Sequence, residues 1–318
     1  MLDSYGRKIN YLRISVTDLC NLRCKYCMPE DGISKLCHQD ILTVEEIVKI
    51  ADIFVSLGVY KVRLTGGEPL VRNGIIDLAK GIGGLEGIED FTITTNAVLL
   101  ERYAKDLREA GLNRVNISLD TLNADKFADI TRGGRLSDVF KGIEAAKREG
   151  LIPIKINVVL VGGFNDDEIE DFIRLTEEEW IDVRFIELMP MGEAIGFNSE
   201  YFISNQSILE RVPALTKVKS EDISSPATYY RMPNGKGRVG LINPISCKFC
   251  ENCNRIRMTA QGKLKLCLHS DEEIDIKTAL RDGKDIEAII LNAIENKPES
   301  HHLEDGKYIS KDMYRIGG

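Results

Sequence analysis

The 318-residue chain sets 42 Lys and Arg against 50 Asp and Glu, a formal net charge of −8. This balance argues against a general nucleic-acid binder, which needs a basic face. With 43% hydrophobic and 29% charged residues it reads as a globular protein with room for one large domain and a smaller appendage, and no apolar run approaches the roughly 18 residues of a membrane span.

The first ten residues do not read as a secretory signal. Eight cysteines therefore point to metal or redox chemistry in a reducing cytoplasm, not to a disulfide scaffold. In chain order, β-branched runs at residues 11–16, 61–65, 91–95, 114–119, 154–161 and 183–188 predict strands, and amphipathic stretches at 44–57, 73–82, 99–110, 137–148 and 166–178 predict helices between them. Thr43 with Glu46 predicts a capping box for the first helix, and Asn165 with Glu168 predicts one for the last. Gly58, Gly111 and Gly150 stand where helices stop before the next strand.

Repeated strand–helix units imply a parallel sheet with right-handed crossovers. An open doubly wound sheet and a partial barrel both satisfy that pattern. Nearly every strand ends in a polar segment, such as Thr94-Thr95-Asn96, Ser118-Leu119-Asp120 or Glu187-Leu188-Met189. A ring of polar strand ends is how barrels build sites. The expectation is an α/β chain: an incomplete (β/α)6 TIM-like barrel over residues 1–202. Residues 203–318, where the pattern decays into scattered Pro and Gly, are expected to form a small C-terminal domain on the barrel's open side.

The run after the first strand, Cys20-Asn-Leu-Arg-Cys24-Lys-Tyr26-Cys27, puts three thiols on one short loop. Three thiolates suit an iron–sulfur cube and leave its fourth iron without a protein ligand. A zinc knuckle would want paired C-x2-C units and a fourth ligand, and none lies nearby. Gly66-Gly67-Glu68-Pro69 follows the second strand. It is either an ordinary turn or a place where backbone approaches a ligand, with Glu68 or a free carbonyl accepting from an ammonium group.

A second set, Cys250, Cys253 and Cys267, has Cys247 three residues ahead of it. Four thiols there could close a structural zinc site. Against that reading, Arg255 and Arg257 alternate in an extended segment and so point to one side, as anion or base recognition requires.

The cysteine loop with the Gly-Gly turn resembles the radical S-adenosylmethionine (SAM) superfamily. The runs Asp18–Pro29, Arg63–Leu70 and Arg184–Met189, the second cysteine set and the terminal Ile316-Gly317-Gly318 narrow the resemblance to the GTP 3′,8-cyclases of molybdenum-cofactor biosynthesis. The resemblance implies two [4Fe-4S] clusters, one on Cys20, Cys24 and Cys27 and one on Cys250, Cys253 and Cys267, with Cys247 a bystander. It implies SAM contacts at Tyr26, Gly67, Glu68, Ser118 and Met189. It places GTP among Arg13, Arg63, Thr94, Lys155, Arg255, Ile256 and Arg257, and brings Gly317 and Gly318 into the active site.

The implied reaction is cleavage of SAM by one electron, hydrogen abstraction from C3′ of GTP, and addition of that carbon to C8 of guanine. It needs an electron donor, and its product passes to a cyclic pyranopterin synthase; a homodimer is also implied. Ala97 stands where the family has Gly. Because Ala does not cheaply take positive φ, the turn there, and with it the contact at Thr94, is expected to differ slightly. His301 and His302 are expected on a solvated surface, and Cys37 has no assigned role.

Overall fold

The computed structural model describes residues 1–196, 199–220, 222–301 and 311–317. Six parallel strands lie side by side in chain order: β1 (Tyr11–Ser15), β2 (Lys61–Thr65), β3 (Asp90–Thr95), β4 (Arg114–Ser118), β5 (Ile154–Leu160) and β6 (Ile181–Glu187). The crossovers are α1 (Val44–Ser56), α2 (Ile75–Gly83), α3 (Leu100–Glu109), the pair α4 (Ala124–Thr131) and α5 (Leu136–Arg148), and α6 (Ile169–Glu178).

The chain after Phe202 joins this sheet at both edges. It contributes α7 (Gln206–Arg211), β7 (Thr216–Lys217), β8 (Ala227–Arg231), β9 (Val239–Ile242), β10 (Arg255–Met258), β11 (Lys263–Lys265), β12 (Ile274–Asp275), α8 (Ile276–Arg281), α9 (Ile286–Glu295) and α10 (Met313–Ile316). β9 pairs parallel with β6, and β10 pairs parallel with β1. The order is β12-β11-β10-β1-β2-β3-β4-β5-β6-β9-β8-β7. Across the open side, Asp222 on the β7–β8 connection pairs with Lys61 at 2.6 Å, and the carbonyl of Ser224 accepts from Arg255.

Strand alternation sorts the side chains by chemistry. Leu12, Ile14, Val62, Leu64, Ile93, Val115, Ile117, Ile156 and Val183 are fully buried and face the helices, where Ile47, Ile50, Phe54, Leu78 and Phe172 meet them in one apolar core. Val239, Leu241, Ile256, Met258 and Leu264 from the C-terminal strands join that same core. The alternate positions, turned toward the sheet's concave side, are largely polar: Tyr11, Arg13 and Ser15 on β1, Lys61, Arg63 and Thr65 on β2.

The Thr43–Glu46 capping box forms, with each side chain accepting from the other residue's N–H. Gly58, Gly111 and Gly150 all take positive φ just past their helices. The second expected box does not form. Asn165 instead accepts from Val161 N–H and donates to the carbonyls of Asp120 and Val159, while Glu168 accepts from Thr121 and Leu122. Those buried donors outcompete a cap, and α6 begins only at Ile169, after a short 3-10 turn.

Two further expectations are corrected. α2 begins two residues later than expected, because Gly74 sits in the left-handed region as its cap. Ala97 does take positive φ, 62°, with its methyl fully buried and its N–H held by Thr95 Oγ1 at 3.0 Å. Core packing and that hydrogen bond offset the strain, so the turn keeps the left-handed form without glycine.

The loop after β1 is locked to the loop after β2 by backbone. Gly67 N–H donates to Thr17 O at 2.9 Å, and Glu68 N–H donates to Leu19 O at 2.8 Å. A Cβ on Gly67 would lie 2.5 Å from Leu19 O and 2.6 Å from Asp18 O, inside any real contact. The glycine is therefore required by the chain segment that carries Cys20. Gly67→Ala should destabilise the cluster-free protein by about 1–3 kcal/mol in urea unfolding, and should lower the iron bound after reconstitution. An unchanged midpoint and iron content would show that the loops tolerate separation.

Candidate functional site

The cysteine loop is fastened from below by α4. Arg23 and Lys25 N–H donate to the carbonyls of Thr131 and Ile130, at 3.1 and 2.9 Å. Arg132, just past α4, donates to the carbonyls of Arg23 and Met28. Tyr26 donates its hydroxyl to Asp120 at 2.5 Å, and Asp120 also accepts from Val159 N–H at 2.8 Å. Burial pushes the Asp120 carboxyl up to about 6.

Cys20, Cys24 and Cys27 are free and half-buried. Burial pushes Cys20 up to about 11 and Cys27 to about 12, with Cys24 well above its ordinary value; Cys20 and Cys27 also raise Cys24, and Cys20 raises Cys27. The three thiols lie on one short loop, although among the described residues no three His, Cys, Asp or Glu side chains are drawn together tightly enough to hold a single ion. Three thiolates with one side open fit an iron–sulfur cube.

Around this loop the proposed SAM residues differ in freedom. The Glu68 side chain is fully buried and accepts from Thr95 Oγ1 at 2.8 Å, Leu70 N–H at 3.0 Å and Asn96 N–H at 2.7 Å. Burial outweighs those donors and lifts its carboxyl to about 7. Its oxygens are committed to the turn, and Asn96 in turn reaches Cys20 Sγ at 3.7 Å. Ser118 is exposed at the end of β4. Met189 packs with Met191, Leu268 and Ile316.

The strand interior below the loop concentrates positive charge. Register places Arg13 of β1 between Arg257 of β10 and Arg63 of β2. Lys155 of β5 stands beside Asn116 of β4, which stands beside Thr94 of β3. Burial, then mutual repulsion within the group, lowers Arg13 and Arg63 to about 9 and Arg257 to about 10. Lys155 falls furthest, to about 6, through burial and the charges of Arg184 and Arg114. The Tyr11 hydroxyl, Thr94 Oγ1 and Asn116 Oδ1 are buried with no hydrogen-bond partner among the described residues. Crowded cations, half-buried or buried, beside orphaned polar atoms suit a polar anion.

Sequence reading missed part of this lining. Arg184 is buried and donates to Tyr229 at 2.9 and 2.6 Å, and its charge acts on Arg13, Arg63 and Lys155. Arg114 bears on Tyr11, Arg63 and Lys155. The available signal was alternation, since both occupy the same strand parity as recognised residues. Ile256, expected near GTP, sends its side chain into the apolar core on the opposite face of β10, which leaves only its backbone toward Arg255 and Arg257.

Cys250, Cys253 and Cys267 are half-buried, whereas Cys247 is exposed. Cys250 and Cys253 raise Cys267, as neighbours in one site do. The segment ahead of them is braced by the fully buried Glu187, which accepts from Ile245 N–H, Ser246 N–H and Ser246 Oγ. His301 is not on a solvated surface. It is 7% exposed and lies edge-on to His269 with ring centroids 4.9 Å apart, and its carbonyl accepts from Lys248 at 3.3 Å. His302 lies outside the described residues. Cys37 is exposed at the head of a short 3-10 turn.

The tail reaches both sets of groups. Tyr314 N–H donates to the Cys27 thiol, and the carbonyl of Gly317 accepts from Arg257 at 2.6 Å. Gly317 has φ 83°, and a Cβ there would sit 2.5 Å from Thr65 Oγ1. Only glycine fits this position between the ends of β1 and β2. Gly318 lies outside the described residues.

Residues 14–176 match the family model described as the Radical SAM superfamily, and residues 181–303 match Molybdenum Cofactor Synthesis C. The chain is 61% identical over 320 residues to the GTP 3′,8-cyclase of Peptoclostridium acidaminophilum, covering 100% of this chain and 98% of the relative. It is 56% identical over 321 residues to that of Alkaliphilus oremlandii (strain OhILAs), with both chains fully covered. In fold it is similar to the crystal structure of Streptococcus suis SuiB bound to S-adenosylmethionine, with a TM-score of 0.63 at 15% identity over 91% of this chain and 68% of that one. No helix among the described residues is long and apolar enough to cross a membrane. Full-length identity at this level, with both thiol sets and the cationic interior in place, shows that the chain belongs to the GTP 3′,8-cyclase family of radical SAM proteins.

Proposed function

We propose that this chain converts GTP to (8S)-3′,8-cyclo-7,8-dihydroguanosine 5′-triphosphate, the first step of molybdenum-cofactor biosynthesis. One observation carries the reading: the half-buried Arg13, Arg63 and Lys155 gather with the buried Arg184 and Arg257 in the barrel interior, with a thiol loop above them and a second thiol set beside β10. A protein of net charge −8 concentrates cations this way to hold a polyanion of triphosphate type.

Cys20, Cys24 and Cys27 would hold one [4Fe-4S] cluster, and Cys250, Cys253 and Cys267 the other. When bound, the first with SAM supplies the radical chemistry, and the second supplies an open iron near the guanine. The chain's own residues position and shield. Tyr26, Gly67, Glu68, Ser118 and Met189 shape the SAM side, with Glu68 acting through the turn that it holds. Arg13, Arg63, Lys155, Arg255 and Arg257 take GTP, with Thr94 donating and the Ile256 backbone in line. Residues 1–202 form the radical barrel, and residues 203–318 supply the second thiol set and the tail. An electron donor, a downstream cyclic pyranopterin synthase, a homodimer and a cytoplasmic setting complete the proposal.

The test is an anaerobic assay of reconstituted protein with SAM, dithionite and GTP deuterated at C3′. Deuterium in the 5′-deoxyadenosine is expected; unlabelled 5′-deoxyadenosine would discard C3′ of GTP as the position attacked.

Two further outcomes follow from the site. A triphosphate beside Lys155 restores its charge, so GTP binding at pH 8 should take up about one proton per chain. Calorimetry in two buffers of different ionisation enthalpy reads that uptake, and Lys155→Met should abolish it. Deleting Gly317 and Gly318 removes the carbonyl that meets Arg257. The truncated chain should keep both clusters by iron content yet fail to cyclise GTP, and full turnover would sink the tail's role.

A further inference from the structure

The second thiol set meets positive charge from outside its own motif. Lys297, just past the end of α9, is 3% exposed. Its ammonium donates to the carbonyl of Leu266, the residue before Cys267. Among the described residues its hydrogen-bond partner is thus a carbonyl and not a carboxylate, an expensive arrangement for a buried cation unless negative charge lies close. Lys265 offers the contrast: it is fully buried as well, but Glu273 stands 3.7 Å from its ammonium.

What faces Lys297 is thiol. Burial pushes Cys253 up, yet the charges of Lys297, Arg255 and Arg7, with a hydrogen bond from Arg255 N–H, bring it below the ordinary thiol value. The same ammonium opposes burial at Cys267.

Arg7 fixes this geometry from the other end of the chain. It pairs with Asp3 at 2.6 Å and donates to the carbonyls of Cys250 at 3.0 Å, Glu299 at 2.7 Å and Pro298 at 2.7 Å. One guanidinium therefore joins the Cys250 turn to the segment that carries Lys297.

We infer that Lys297 is a positioning residue for the second thiol set: its buried charge offsets that of three thiolates holding an iron–sulfur cluster, and so governs how firmly the cluster is retained and how readily it is reduced. The inference rests on the proposal that Cys250, Cys253 and Cys267 hold a cluster.

The experiment uses the full chain with Cys20, Cys24 and Cys27 replaced by Ala, so that only the second site carries iron. Lys297→Met and Lys297→Arg are compared in that background. Two quantities are read: the rate of iron loss to a chelator, and the midpoint potential in a spectroscopic redox titration. Lys297→Met should lose iron about 10-fold faster or more, within the range for outer-shell partners of metal ligands. Its midpoint should also move to more negative potential, since reduction adds an electron to a site that has lost a positive charge. Lys297→Arg should restore most of both.

A Met variant that holds no cluster while the Arg variant holds one also supports the inference. Unchanged iron loss and potential in Lys297→Met overturn it. Equal failure of Met and Arg overturns it too, because shape and not charge would then be the requirement. A background chain that takes up no cluster at all overturns the reading of the second thiol set itself.

Discussion

Like-charge repulsion among buried and half-buried cations is the constraint around which this fold is arranged. Arg13, Arg63 and Arg257 are neighbours across three paired strands, with the charge of Arg184 acting on Arg13 and Arg63, and both Arg184 and Arg63 acting on Lys155. Such a set is unfavourable in a low-dielectric space, and the lowered pKa values express that cost. The outer face makes it tolerable. Leu12, Ile14, Val62 and Leu64 bury completely against α1 and α2, so hydrophobic burial on one side of each strand offsets charge crowding on the other. The resulting interior is destabilised until an anion enters. Binding energy from a triphosphate is then available to order the groups around it, the preorganisation that positions a reacting sugar.

The two thiol sets sit in opposite electrostatic surroundings. In the first, burial and mutual repulsion act together, and the nearest carboxyls, Asp120 and Glu68, add negative charge instead of relieving it. Apart from the charge of Arg23 acting on Cys20, compensation there is left to what binds, which suits a site meant for a cationic sulfonium cofactor. In the second, Lys297, Arg255 and Arg7 supply compensation from the chain. The tail spans the two, with Tyr314 on Cys27 and Gly317 on Arg257. One short segment thus senses both the thiol loop and the cationic interior.

What the sequence made legible was chemistry fixed by local spacing. The thiol loop, the strand order β1 to β6, the alternation of Arg255 and Arg257, and the Thr43 cap each depend on residues a few positions apart. What it concealed depends on partners far along the chain. Asn165 and Glu168 have the spacing of a cap, yet buried partners at Asp120, Val159, Thr121 and Leu122 claim them. α4 is only eight residues long, with Phe127 and Ile130 as its apolar pair, too little periodicity to stand out, although it anchors the cysteine loop. Arg114 was hidden because it reads as an ordinary strand-end charge, and Arg184 because its partner Tyr229 lies far along the chain. His301 looked like a terminal surface residue because nothing local shows that α9 brings it back beside His269.

The pairing of β10 with β1 shows how tightly these non-local choices bind function to fold. The register aligns Tyr11 with Arg255, Leu12 with Ile256 and Arg13 with Arg257. Because side chains alternate, a slip of one residue would turn Ile256 toward the cations and drive two arginines into the apolar core. Ile256 and Met258, both fully buried there, penalise that slip heavily. Arg257 then lies where the Gly317 carbonyl meets it, while Cys250 and Cys253, immediately ahead of the strand, are fixed relative to Arg13. The distance between the second thiol set and the cationic interior is therefore set by apolar packing on the opposite face of a four-residue strand, and the charged residues that would touch substrate contribute little to holding themselves in place.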